Sequence, residues 1–392
     1  MKKRHMGRGL RATLTLLTVG LLGILLSGGG GASARAALSS TQTSNSCSKV
    51  GMPVRGSHFS GVIGAVPVDA RCVNTDERAK GDPPLFWHNG PVMGTNTIGP
   101  VVVTPIFWHP SGHPMDAGYE NLITKYLGDV AHDSGSHTNV FSTLTEYFGT
   151  NGSINYQLRL GTPIDDTNPL PADGCTLAHK DRTGIYADGS GYDACLDDAQ
   201  VSAETARVVQ AGTLPVNMSH MYVLFVPKHV ETCFLPGSTG SVKQGFQACT
   251  INHEKTAAYC AYHFIAGQMV YANLSYPIYH SPLQTVLYTC GSDSRSSFGV
   301  VETPNGHADA DTEVSPTSHE IMEAITDPDT ETGWFDAIGY ENGDECAYVY
   351  GATQGSAGQL YNQVINGDRY LTQEEFSNND FLNTGLGCLP SA

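Results

Sequence analysis

Positive charge is scarce in this chain: 21 Lys and Arg stand against 38 Asp and Glu in 392 residues, a formal net charge of −17. A surface so acidic repels phosphate backbones, which excludes nucleic acid as a partner, and it disfavours anionic membranes. Only residues 12–26 form a long apolar run, so no span of the membrane is expected once that segment is removed. No Cys-x-x-Cys occurs, which leaves zinc ribbons and thioredoxin-type redox motifs without support. A Gly-x-Ser-x-Gly nucleophile elbow and a Gly-x-x-x-x-Gly-Lys phosphate loop are missing as well. Heptads, solenoid repeats and collagen-like periodicity are also lacking.

What is present begins with an export signal. Lys2, Lys3, Arg4, Arg8 and Arg11 precede the apolar run, and Ala32-Ser33-Ala34-Arg35-Ala36 supplies small residues for cleavage. Residues 1–36 therefore read as a secretory signal peptide. Their loss removes six positive charges and no acid, taking the net charge from −17 to −23. All ten cysteines lie beyond the cut, and an even number in an exported chain predicts disulfides, five in the simplest case, with the pairing open. Residues 37–84 are polar and aperiodic, a flexible leader that Cys47 and Cys72 could tie down. One large domain is expected over 85–390.

Within it, 101–108 (Val-Val-Val-Thr-Pro-Ile-Phe-Trp) predicts a strand buried on both faces, with Pro105 marking a bulge or edge. Helical spacing over 119–130 places Leu122, Ile123, Tyr126 and Leu127 on one face, and 140–148 and 203–209 also read as helical. Strands are predicted at 154–160, 221–226, 270–274 and 285–288. The turn-rich stretch 162–197 carries Cys175 and Cys195 and reads as a disulfide-closed loop insertion. The fold class is mixed α/β (α+β), one domain with a mixed, partly antiparallel sheet.

The chemistry concentrates where the cations stop. Between Arg295 and Arg369 lie 73 residues with 14 acids and no Lys or Arg. Such carboxylates repel one another if folded together, unless cations bind them or they spread over a solvated surface. In Ser315-Pro316-Thr317-Ser318-His319-Glu320-Ile321-Met322-Glu323-Ala324-Ile325-Thr326-Asp327-Pro328, Ser315 and Pro316 predict a helix start and Asp327-Pro328 its end. At about 100° per residue, His319, Glu323 and Asp327 share one stripe with Glu320 beside it, while Ile321, Ala324 and Ile325 face the core. A His and a carboxylate one turn apart can hold one metal ion, as the two histidines of His-Glu-x-x-His do. Here the pattern is His-Glu-x-x-Glu, with Asp327, Asp329, Glu341 and Asp344 as candidates for a further ligand. Zinc is the first expectation and calcium the second. The competing reading is an exposed acidic helix.

Several landmarks, in order, resemble the phosphate-induced protein 1, or EXORDIUM-like, family of secreted proteins. They are His88-Asn89-Gly90-Pro91 before the 101–108 strand, Tyr259-Cys260-Ala261-Tyr262-His263, the His319–Pro328 helix, Trp334 and Glu341-x-x-Asp344-x-Cys346. The resemblance implies an extracellular protein linked to growth and the cell wall, and it adds His263 to the residues of interest. Two functions follow. The first is a zincin-like, metal-dependent hydrolase acting on an extracellular peptide or cell-wall polymer, with His319 and Glu323 as ligands and Glu320 as general base. A Glu in place of the second His weakens the ion as a Lewis acid, which counts against fast hydrolysis. The second is a non-catalytic extracellular or envelope protein with a structural cation site or an acidic surface.

Overall fold

The computed structural model describes residues 62–64, 66–67, 79–175, 185–186, 188–234, 247–250, 256–279, 288–292, 301–330 and 332–392. The expected signal peptide, Cys47, Cys72 and residues 285–287 of one predicted strand lie outside them. The described residues belong to one compact unit spanning 46–392.

Val101–Trp108 is an interior strand, next to one edge, of a sheet that has ten strands among the described residues. In chain order its strands are β1 (Val62–Gly64), β2 (Val101–Trp108), β3 (Leu158–Leu160), β4 (Ile164–Asp166), β5 (Ala194–Asp197), β6 (His220–Phe225), β7 (Val230–Phe234), β8 (Gln247–Cys249), β9 (Thr256–Ala266) and β10 (Met269–Leu274). Across the sheet the order runs β3-β2-β6-β10-β9-β8-β7-β5, with β4 also on β2 and β1 also on β9. Strands β2, β6 and β10 are mutually parallel, whereas β9 and β10 form an antiparallel hairpin. The sheet is thus mixed, and the chain a mixed α/β protein.

Pro105 sits inside this sheet without losing a bond. Odd-numbered residues of β2 turn their backbone groups towards β3 and β4: Val101 donates to Gln157, Val103 accepts from Gly161, and His109 beyond the strand donates to Asp166. Pro105 would face the same side, opposite the break between Leu160 and Ile164, where no ladder partner waits for an N–H.

Alternation along the strands sorts the layers. Met221, Val223 and Phe225 of β6 join the core under helices α1 (Tyr119–His132) and α3 (Ala308–Thr326). Tyr222 and Leu224 face the opposite core with Val201, Val208 and Val209 of α2 (Asp198–Ala211). The predicted face of α1 is buried as expected. Residues 140–146 form a 3-10 rather than an α-helix, started by Asn139, whose side chain accepts the Phe141 N–H. Of the 154–160 strand only Leu158–Leu160 is regular.

Among the described residues, four disulfides join Cys175–Cys195, Cys233–Cys249, Cys260–Cys290 and Cys346–Cys388. The first closes the loop after β4, though that stretch also contributes β4 and β5 to the sheet. Among the described residues, no helix is long and apolar enough to cross a membrane.

Candidate metal centre

Helix α3 starts at Ala308, seven residues before the predicted Ser315 cap, and Pro316 lies in its interior. The actual start is held by Asp311, whose carboxylate accepts the N–H groups of His307 and Asn305. Ser315 instead ties the helix to a distant loop, its hydroxyl accepting the Gln373 N–H. The end falls at Thr326, before Asp327-Pro328, as the sequence predicts. The expected amphipathic helix is instead buried on every side from Ala310 to Thr326. An exposed acidic face is therefore not what α3 presents.

Its polar stripe faces β9. Near Cys260 the pairing of β1 with β9 slips by one residue, so that Ile63 meets Ala261 but Gly64 meets Tyr259. Such a bulge changes which side chains share a face. Beyond it Ala261 packs in the core shared with α3 and Tyr262 in the opposite one. His263 then falls on the α3 side.

His263 and His319 are both fully buried, together with Glu320, Glu323, Asp327 and Glu341, and Asp344 is nearly so. The His263 Nε2–H donates to the Asp327 carbonyl at 3.1 Å. Burial holds this imidazole neutral, pushing its pKa down to about 3. Nδ1 must then present a lone pair, and it does so to carboxylate oxygens: Glu320 Oε2 at 3.2 Å and Glu323 Oε2 at 3.7 Å. Three electron-rich atoms converge where only a proton or a cation can reconcile them. Donors on a tetrahedral zinc at ~2.0–2.2 Å stand ~3.3–3.6 Å apart, a range that the 3.2 and 3.7 Å spacings straddle. A ligating His whose other nitrogen donates to a backbone carbonyl is the usual supporting arrangement. His263, Glu320 and Glu323 could hold a metal ion, each offering one atom within 4.8 Å of the others.

Glu323 also reaches the second imidazole. Its Oε1 lies 2.9 Å from His319 Nε2 and accepts the Asp344 N–H at 2.9 Å. His319 Nε2 is 3.7 Å from Asp344 Oδ1. Asp344 Oδ2 in turn accepts the Glu341 N–H. Among the described residues, neither ring nitrogen of His319 has a hydrogen-bond partner in good geometry, nor do Glu323 Oε2, Asp327 Oδ2 or either carboxylate oxygen of Glu341. So many bare polar atoms in a closed interior are costly without a counter-charge. Burial and mutual repulsion push Glu320, Glu341 and Asp344 well above the usual carboxylate range. Burial does the same to Glu323 and lifts Asp327 to about 7.

Of the residues singled out from sequence, His263, His319, Glu320, Glu323, Asp327, Glu341 and Asp344 are brought together. Asp329 is not: it is exposed on the turn after α3. Sequence reasoning missed the supporting residues Asn342, Gly343, Gln373 and Glu375. Asn342 accepts from Thr326 Oγ1 and donates to Glu375, a buried acid also held by Gln373. Gln373 donates to the Gly343 carbonyl as well. No spacing in Gln373-Glu374-Glu375 marks it as part of a site. The loop comes close because residue 343 is glycine: a Cβ there would stand 2.7 Å from His319 Nδ1 and 2.9 Å from Glu323 Oε1.

Compared with known proteins, the chain matches no family model, no curated protein and no solved structure.

Proposed function

We propose that this is an extracellular metal-binding protein, EXORDIUM-like in its landmark residues, in which a buried divalent ion joins α3 to β9 and the 341–346 loop. The observation that carries the reading is the His263 lone pair aimed at two carboxylates in a closed, cation-poor interior. Imidazole nitrogens beside carboxylates favour zinc, manganese or iron over calcium, whose sites are built from oxygen. Zinc is the first choice.

The landmark order gains support from packing. His88 stacks on Phe335 with ring centroids 3.4 Å apart, and Gly90 donates to Thr332. The strand Trp334–Phe335 pairs with Phe86–Trp87 just past the end of α3. The 88–91 landmark therefore packs beside the Trp334 landmark. Four disulfides and a buried ion also suit a protein that must persist outside the cell.

A structural role fits better than hydrolysis. Catalytic zinc keeps a coordination position open to water, whereas structural sites are closed, and here every donor is sealed from solvent. Glu320 lies among the donors, 3.2 Å from His263, rather than standing off them as a general base would. The test is elemental analysis of the purified protein after dialysis against metal-free buffer, beside His263→Gln and Glu323→Gln. We expect about one equivalent of transition metal tied to these residues and a melting temperature lowered by chelation. Identical metal content in all three proteins would overturn the reading.

A further inference from the structure

A second histidine–carboxylate group lies outside the carboxyl ends of the parallel strands. That edge is where open α/β sheets place ligands, because chains diverging from adjacent parallel strands leave a crevice. From β2 the chain continues past Trp108 to His113. From its neighbour β6 it continues to Lys228 and His229, and Asp193 precedes β5.

His113, Asp193 and His229 each offer one donor atom within 4.8 Å of the others. His113 Nδ1 is 3.6 Å from Asp193 Oδ1, close to the ~3.3–3.6 Å edge of a tetrahedral zinc shell. The backbone fixes two of the three relative to each other, since the His229 carbonyl accepts the N–H groups of Asp193 at 3.0 Å and Ala194 at 3.4 Å. His229 adopts φ 72°, a left-handed conformation uncommon outside glycine. His229 Nε2 is engaged by Ser190 Oγ at 3.0 Å, which leaves Nδ1 for a ligand role. His113 Nδ1 also stands 3.4 Å from the Lys228 carbonyl, near the outer limit of a hydrogen bond, and coordination would replace that weak contact.

The neighbouring cation does not compete for Asp193. Lys228 is nearly buried, with Nζ 2.7 Å from Asp188 and 3.3 Å from Asp116, and it lies over the Tyr186 and Tyr276 rings. Its charge is thus already compensated. Access differs from that of the buried centre: the Asp193 side chain is 60% exposed and His113 17%, so water reaches the group.

We propose that His113, Asp193 and His229 form a second, solvent-accessible site for a divalent transition metal, zinc in the first instance. Three protein ligands with a position left to water is the pattern of a reactive zinc site, and two imidazoles with one carboxylate suit zinc, iron or manganese. This second site does not depend on the buried centre.

The test titrates zinc alone into the chelator-stripped full chain against a chromophoric competitor. The wild type is compared with the double variant His113→Ala/His229→Ala, with Asp193→Asn and with Glu323→Gln. The expected result is one zinc equivalent lost in the double variant and affinity for that equivalent lowered at least tenfold in Asp193→Asn, with Glu323→Gln leaving it unchanged. A double variant whose near-ultraviolet circular dichroism and zinc stoichiometry both match wild type would overturn the proposal. So would a wild type whose only zinc disappears in Glu323→Gln. If instead Glu323→Gln loses no metal while the double variant does, the buried centre fails and this site stands.

Discussion

Glu320 decides between two kinds of chemistry, and one oxygen atom tells them apart. A general base would leave the metal in place when replaced by Gln and lose only turnover. A ligand would take the metal with it. Because burial and the neighbouring Glu323 charge favour protonated Glu320 when no cation is bound, Gln is a close mimic of the metal-free state. Glu320→Gln should therefore lower metal affinity at least tenfold while raising the melting temperature of the chelated protein. Equilibrium dialysis and calorimetry on the same sample check both halves. Gly343 supplies a companion test. Its φ of −72° suits any residue, so Gly343→Ala acts only through the methyl group pressed against His319 and Glu323. Overpacking of this kind costs roughly 1–3 kcal/mol. We expect a destabilised protein with weakened metal binding, measured by urea unfolding with and without chelator.

Helix α3 shows how far local pattern carries. Its end was legible because Asp327-Pro328 stops a helix by sterics that need no partner. Its stripe was legible because a 3.6-residue period is a property of the helix alone. Its start was not: Ser315-Pro316 has the look of a cap, and only the fold reveals that Ser315 binds Gln373 and that Asp311 closes the true first turn. Burial was the larger surprise. Glu320 is met by the Ile63 N–H from 257 residues away, and Asn342 and Glu375 close the other side. No periodicity within the helix encodes such neighbours. His263 was visible only through landmark order, since the bulge that turns it towards α3 leaves no mark in the alternation of β9. The disulfides act at this same scale. Cys346–Cys388 spans 42 residues and Cys175–Cys195 spans 20, so removing either should cost roughly 3–4 kcal/mol by loop entropy. Only the first tethers the loop bearing Glu341 and Asp344. Cys346→Ser/Cys388→Ser should thus lose stability and metal affinity at the buried centre together, whereas Cys175→Ser/Cys195→Ser should lose stability and leave the buried centre's affinity unchanged. Equal metal affinity in both double variants would disconnect the 341–346 loop from the centre.

For the whole molecule, protons and metal compete for the same interior. Carboxyls whose folded pKa is raised stabilise the fold fully below their unfolded values, and that contribution is lost as pH rises through the folded value. Asp327, raised to about 7, and Glu345, raised to about 9, both chiefly by burial, work in this direction. The buried histidines oppose them: His263 at about 3 and His319 at about 4 contribute stability that is complete above the ordinary imidazole value and falls as pH drops. Above pH ~6.5 the histidine contribution is already constant, so only the carboxyls still change. The metal-free protein should therefore lose stability steadily from about pH 6.5 to 9. A bound divalent ion displaces those protons and binds more tightly as pH rises, which offsets the trend. Calorimetric melting across this window, chelated beside metal-loaded, should give a falling curve for the first and a flat or rising one for the second. Two parallel curves would mean that the carboxylates meet their counter-charge in some way other than a metal ion.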